Sequence, residues 1–274
     1  MKLAISQIAW KPEEEEAVAR FLASRGIDEV ELAPPRLFAD PENPKLEEMQ
    51  TCLSFWAEFG INPTAFQALL FGRPDLSLFY DNQVRDKMFN HLSKTIIVAG
   101  QMGITNLVFG SPKNRFIPEN LAYHQAREIA ADFFARLGKI AFDSGTNLCI
   151  EPNPVQYGCN FITNAREGIE FVQDVATPGF GLHLDLAGLW LAGDDVGVSI
   201  SASKEYLKHF HLSAPDLEPV TSNGLPYSGA IGQLFEGGYS GSVSIEMRSN
   251  ESGNLKSVRR AVDFINGILT SQEV

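Results

Sequence analysis

The sequence predicts an α/β protein folded as a (β/α)8 barrel, and three observations point there. Eight short β-like runs alternate with longer helical patterns from one end of the chain to the other. No linker or low-complexity tract divides them, so residues 1–274 read as a single domain. The length, 274 residues, is close to the roughly 250 that such a barrel takes. An open doubly wound sheet is the runner-up, but no G-x-G-x-x-G turn joins the first strand to the first helix.

"KLAISQI" (2–8) is the first predicted strand. "PEEEEAVARFLASRG" follows it with proline and acids in the first turn and a glycine stop, the signature of a helix. Its four glutamates read as solvated acids favoured by the helix dipole rather than as a binding face. "IDEVELA" (27–33) is the second strand, followed by a loop with Pro34 and Pro35 and a helical run up to about Glu58. The third strand falls near "NPTAFQALLF" (62–71) and leads to a helix over about 82–101. "ITNLVFG" (104–110) precedes a helix over about 118–144, and "TNLCIE" (146–151) precedes one near 164–175. "GFGLHLD" (179–185), "YLKHFHLS" (206–213) and "GSVSIEM" (241–247) complete the series, each with a helical segment after it. The segment after Asp185 has the weakest helical pattern, being rich in glycine and small residues.

Composition narrows the function. The chain is 44% hydrophobic, ordinary for a protein with a substantial core. Lys plus Arg is 22 and Asp plus Glu is 34, so the net charge is 22 − 34 = −12. A surface that acidic repels phosphate backbones and anionic lipid, which argues against nucleic acid or a membrane as partner. Cys52, Cys149 and Cys159 show neither paired ligand spacing nor a disulfide framework. With no leader-like segment and no long apolar run, the expectation is a soluble protein of the reducing cytoplasm.

Strand side chains alternate between two faces, so each strand splits by parity. In the sixth strand Phe180, Leu182 and Leu184 share one face, and Gly181, His183 and Asp185 the other. The fifth separates Leu148 and Ile150 from Asn147, Cys149 and Glu151. The seventh separates Phe210 and Leu212 from His209, His211 and Ser213, and the eighth separates Val243, Ile245 and Met247 from Ser244, Glu246 and Arg248. Four consecutive strands thus present an apolar face to the outer helices and a polar or small one to the lumen. Each carries an ionisable residue at or near its C-terminal end, namely Glu151, Asp185, His211 and Glu246. Barrel active sites are built at that end.

Three carboxylates and one imidazole converging there repel one another unless a cation neutralises them. Taken singly, each reads as a salt-bridged carboxylate or a hydrogen-bonded core histidine; all four in register read as a cation site. Oxygen-rich ligands with one histidine suit a divalent ion, manganese or magnesium ahead of zinc or cobalt.

The motifs "CIEPNP" (149–154), "HLD" (183–185), "HFHLS" (209–213) and "SIEMR" (244–248), with "QALLFGRPDLSLF" (67–79) and "VFGSPKNR" (108–115), resemble the xylose isomerase-like barrel superfamily. Within it, they are similar to the sugar isomerase/epimerase branch that includes ketose 3-epimerases and hydroxypyruvate isomerase. The resemblance implies that Glu151, Asp185, His211 and Glu246 are metal ligands and that Glu151 and Glu246 are the acid/base pair. It also implies a small sugar or sugar-like substrate, enediolate chemistry and barrels that often associate as homo-oligomers. The chain departs from the pattern twice. The usual Asp-x-x-His becomes "DLAG", with Gly188 in place of the histidine, and "HLSAPDLEP" offers Leu217 where ketose epimerases tend to carry an arginine. Both missing side chains normally contact substrate beside the metal.

Other candidates for substrate contact are Lys113 and Arg115, in the loop after strand four, and Arg248, two residues beyond Glu246. Lys113 and Arg115 could hold a carboxylate or phosphate but read more readily as ordinary loop cations, and Arg248 reads equally as a contact to an anionic substrate group or as a partner of a loop acid. His183, about 6.6 Å below Asp185 at roughly 3.3 Å per residue, reads as a substrate-side supporter of the site rather than a ligand. His209 stands in the same relation to His211, while His91 and His124 look helical and structural. Three alternatives stay open: an inosose-type dehydratase or isomerase, a metal-dependent phosphodiesterase, and a non-catalytic sugar-binding barrel.

Overall fold

A computed structural model of the chain describes residues 1–221, 224–251 and 253–272. Eight parallel strands form one sheet: β1 (Lys2–Ile5), β2 (Glu29–Leu32), β3 (Asn62–Phe66), β4 (Asn106–Phe109), β5 (Asn147–Ile150), β6 (Phe180–Asp185), β7 (Leu207–Ser213) and β8 (Ser242–Glu246). Their order is β1-β8-β7-β6-β5-β4-β3-β2, and a single bridge between Ser6 and Glu31 brings its two ends together. Helices lie between the strands: α1 (Glu15–Ser24), α2 (Pro34–Leu37), α3 (Leu46–Glu58), α4 (Asn82–Gln101), α5 (Tyr123–Asp143), α6 (Ala165–Val175), α7 (Leu186–Ala192), α8 (Val196–Ser203), α9 (Tyr227–Glu236) and α10 (Asn254–Gln272). This is the predicted (β/α)8 barrel. No helix among the described residues is long and apolar enough to cross a membrane.

Two elements differ from the sequence expectation. β3 stops at Phe66 rather than near 71, because Ala68 turns into the left-handed region (φ 55°) and sends "ALLF" into a loop. The glycine-rich segment after Asp185 forms two short helices, not one. Gly193 ends α7 at φ 76°, and Asp195 starts α8 by accepting from the Val198 amide at 2.9 Å.

The outward faces of the strands make the core with the helices. Phe134 of α5 packs its ring 5.1 Å from Phe109 and 5.2 Å from Phe180, centroid to centroid, and Phe171 of α6 joins them at 5.8 Å. α5 comes this close because Gly138 faces β6, where a Cβ would lie 3.0 Å from the Phe180 Cβ.

Register decides what the lumen receives. An irregularity between Leu182 and His183 re-phases β7 against β6, so that His183 pairs with His209 and Asp185 with His211. β8 continues the rows, Ser244 beside His211 and Glu246 beside Ser213. A matching shift between Val30 and Glu31 sets Glu31 beside Ala65. The lumen is therefore layered, with serine, histidine and glutamate in the interior and carboxylates at the C-terminal mouth.

Candidate functional site

A cavity of about 1130 Å³ opens at the C-terminal ends of the strands. Glu151, Asp185, Ser213 and Glu246 contribute to its lining, together with Gly110 and Gly188. His211, His183 and His209 do not line it, and are buried.

Each mouth residue is held by its local structure. Asp185 ends β6 and caps α7: Oδ1 accepts from the Gly188 amide at 2.6 Å, and Oδ2 accepts from the Ser213 hydroxyl. Glu151 follows β5 directly, its amide donating to Phe109 O at 3.1 Å. Its own carbonyl accepts from Arg115 Nη2 at 2.6 Å. Gly110 leaves room for the carboxylate, since a Cβ there would sit 2.2 Å from Glu151 Oε2. His211 projects from β7 with Nε2 at 3.0 Å from both Glu31 oxygens and Nδ1 at 3.2 Å from Glu246 Oε2. One ligand atom each from Glu151, Asp185 and His211 lies within 4.8 Å of the others.

The electrostatics follow from burial and crowding. Burial pushes the Glu151 carboxyl up to about 8, with Glu246 and then Asp185 adding repulsion. Burial and Glu246 raise Asp185 to about 6, against the His211 charge and the bonds from Ser213 and Gly188. Burial disfavours a charged His211, yet Glu31 and Glu246 outweigh it and hold its pKa well above the ordinary value. At Glu31 burial is likewise overcome, by His211 and then His209, and the carboxyl stays well below the usual range. Burial, with His211 and His209 nearby, keeps His183 neutral.

These residues fit a divalent cation. His211 Nδ1 is buried, faces the mouth carboxylates and has no aligned hydrogen bond among the described residues, although Glu246 is near. A cation is the ligand that satisfies an orphaned imidazole nitrogen and mutually repelling carboxylates together.

The other expected contacts divide. Lys113 and Arg248 both line the cavity, and Arg248 Nη2 also donates to Glu218 Oε1 at 2.6 Å. Arg115 is no loop cation: fully buried, it lies over the Phe109 ring at 5.9 Å and braces the Glu151 carbonyl. His183 does not reach the cavity and packs its ring 4.1 Å from His211, so its expected place on the substrate side becomes one behind the floor. His91 is structural, bonded to Glu42 and to Leu69 O at 2.9 Å each, and His124 is exposed on α5. Leu217 and Asp216 both take left-handed backbone, φ 56° and 57°, at the cavity wall. Glu31 was not singled out by the sequence. Its signal was the alternation of "IDEVELA", which puts Glu29 and Glu31 on one face.

The chain belongs to the xylose isomerase-like TIM barrel family, whose pattern matches residues 19–268. Solved structures share the fold over nearly the whole chain. D-psicose 3-epimerase with D-tagatose, from Clostridium cellulolyticum H10, is 18% identical, with 98% of this chain and 99% of that chain covered and a TM-score of 0.81. An L-ribulose 3-epimerase is also 18% identical, with coverages of 100% and 96% and a TM-score of 0.82. The IolI protein with a bound zinc atom is 16% identical, with 99% of each chain covered and a TM-score of 0.77.

Proposed function

We propose that the protein is a divalent-metal-dependent isomerase or epimerase acting on a small polyhydroxy ketone or aldehyde. The observation that carries this reading is the convergence of Glu151, Asp185 and His211 within ligand distance of one another, with Glu246 3.2 Å from His211 Nδ1, at and just beneath the floor of an open cavity. Glu151, Asp185, His211 and Glu246 would hold the cation. When bound, it polarises a substrate carbonyl and the neighbouring hydroxyl and stabilises the negative charge that enolisation develops on them.

The proton work falls to the two glutamates. One removes the proton from the carbon between the two substrate oxygens. The other returns a proton to the opposite face of that carbon for epimerisation, or to the adjacent carbon for isomerisation, in which case the hydroxyl proton also passes to the former carbonyl oxygen. Glu151 suits the exchange because its carboxyl lines the cavity that substrate enters. Arg115 fixes the Glu151 backbone and Gly110 leaves its carboxylate space to lie at the floor. Asp185 is anchored at both oxygens, by Ser213 and Gly188, and so is a fixed ligand rather than a mobile base.

Sugar epimerases among the structures that share this fold, and the zinc held by one of them, support the reading. A cyclic inosose-type ketone is the second substrate reading, favoured by Gly188, which leaves the cavity wall without the histidine the family resemblance implies. A phosphodiesterase of the many-histidine type is disfavoured, since His91 and His124 lie away from the cavity.

The test is solvent-deuterium exchange into ketoses, inososes and hydroxypyruvate by the cation-loaded protein. Deuterium at a substrate carbon, lost in Glu246→Gln with the fold intact, is the expected result. Unchanged exchange in that variant contradicts the mechanism.

A further inference from the structure

We infer that Glu31 is a positioning residue: its carboxylate holds the proton on His211 Nε2 and so turns the lone pair of Nδ1 toward the cation. This rests on the cation centre proposed above and goes beyond it, because Glu31 touches neither the cavity nor a mouth carboxylate.

Glu31 comes from β2, on the far side of the strand order from His211 in β7, and is completely buried. Its side chain reaches past β1 to residues of β8 and β7. Both of its oxygens stand 3.0 Å from His211 Nε2, and Oε2 also accepts from the Ser244 hydroxyl at 2.8 Å. His209 Nε2 lies 3.3 Å from Oε1. An oxygen pair that straddles one nitrogen at equal distance accepts from an N–H; against a bare ring nitrogen, the lone pairs would repel. The proton therefore belongs on Nε2, and a neutral His211 has its lone pair on Nδ1. That nitrogen is the one left without an aligned partner at the mouth. Imidazoles that ligate metals commonly give their other N–H to a carboxylate, which fixes ring and tautomer together.

The backbone adds to the argument. Glu31 is also the residue whose bridge to Ser6 brings β1 and β2 together. One residue thus joins the seam of the barrel to a histidine three strands away, across β1 and β8.

The test uses the full-length protein and Zn2+, a diamagnetic probe. Zinc affinity is measured by competition with a chromophoric chelator in wild type, Glu31→Gln, Ser244→Ala and Asp185→Asn. Long-range 1H–15N spectra of histidine-labelled protein report which nitrogen of His211 carries hydrogen. Wild type should show the zinc-loaded state with hydrogen on Nε2. Glu31→Gln should bind zinc about 10–100-fold more weakly and lose that single-tautomer signature, with its far-ultraviolet circular dichroism unchanged. Ser244→Ala, which keeps the charge, should fall between the two, and it carries the test if Glu31→Gln does not fold. Wild-type zinc affinity with an unchanged His211 signature in the folded variants overturns the inference while leaving the cation centre standing. A wild type that binds no zinc, or an Asp185→Asn that binds it undiminished, overturns the cation centre itself.

Discussion

Two layers of the barrel interior hold buried carboxylates, and they differ in what those carboxylates face. In the inner layer Glu31 meets His211, His209 and the Ser244 hydroxyl, and it stays ionised well below the ordinary range. At the mouth Glu151 meets Glu246 and Asp185, and its pKa rises to about 8. Glu31 is completely buried and Glu151 partly so, at the cavity floor, yet the more buried carboxyl is the one held low, so burial alone does not explain the opposite shifts. The partners do. The inner layer is electrostatically finished and reads as support, whereas the mouth is left with crowded carboxylates that the proposed cation would neutralise.

The largest expected effect comes from the mouth. Glu246→Gln should lower turnover by about 10²–10⁴-fold while the protein melts as wild type does, since a general acid or base supplies about that much. A comparable thermal collapse would move Glu246 from chemistry to structure and erase the contrast between the layers.

Gly110→Ala sharpens the same contrast. Its Cβ would lie 2.2 Å from Glu151 Oε2, so the carboxylate must move. A displacement of about 1 Å in a reacting group costs on the order of 10²-fold in rate, and steady-state kinetics should show a loss of that size in kcat.

The third expectation concerns pH. Glu151 and Asp185 have raised pKa values, about 8 and about 6, so the folded cation-free chain keeps protons that the unfolded chain releases. Its stability therefore falls as pH rises through the ordinary carboxylate range toward 8. Glu31 has the opposite sign: its contribution is present above the ordinary carboxylate pKa and is lost only as acid protonates it. Chelator-treated protein should lose melting temperature between pH 6 and pH 8, by about 2–4 °C for each kcal/mol, and added cation should remove the slope. A flat profile without cation would mean that the mouth carboxylates are not crowded.

The smallest effects belong to the rim. Lys113→Ala and Arg248→Ala should change KM more than kcat, and stability by no more than about 0.5 kcal/mol, as for surface positions without buried partners.

The alternation of β5 to β8 made the mouth legible in advance. Apolar residues at one parity and Glu151, Asp185, His211 and Glu246 at the other describe a lumen without any tertiary information. Glu31 obeys the same alternation, but its partners His211 and Ser244 lie 180 and 213 residues away, and nothing local distinguishes it from a solvated acid. Arg115 was hidden for a related reason. "GSPKNR" reads as a polar loop, and only the fold brings the Glu151 carbonyl to the guanidinium. The irregularity between Leu182 and His183 has no sequence mark either, yet it aligns the histidines of two strands. Periodicity reveals faces; partners across a lumen require the closed barrel.

Cation binding by isothermal titration, in wild type and Asp185→Asn, tests the central claim most directly. Mn2+ or Zn2+ should bind with a stoichiometry of one at the mouth and release protons near neutral pH, because it displaces the proton that Glu151 holds there. Asp185→Asn should abolish that binding in a folded protein. Absence of stoichiometric binding to the wild type, or equal binding to the variant, would contradict the account.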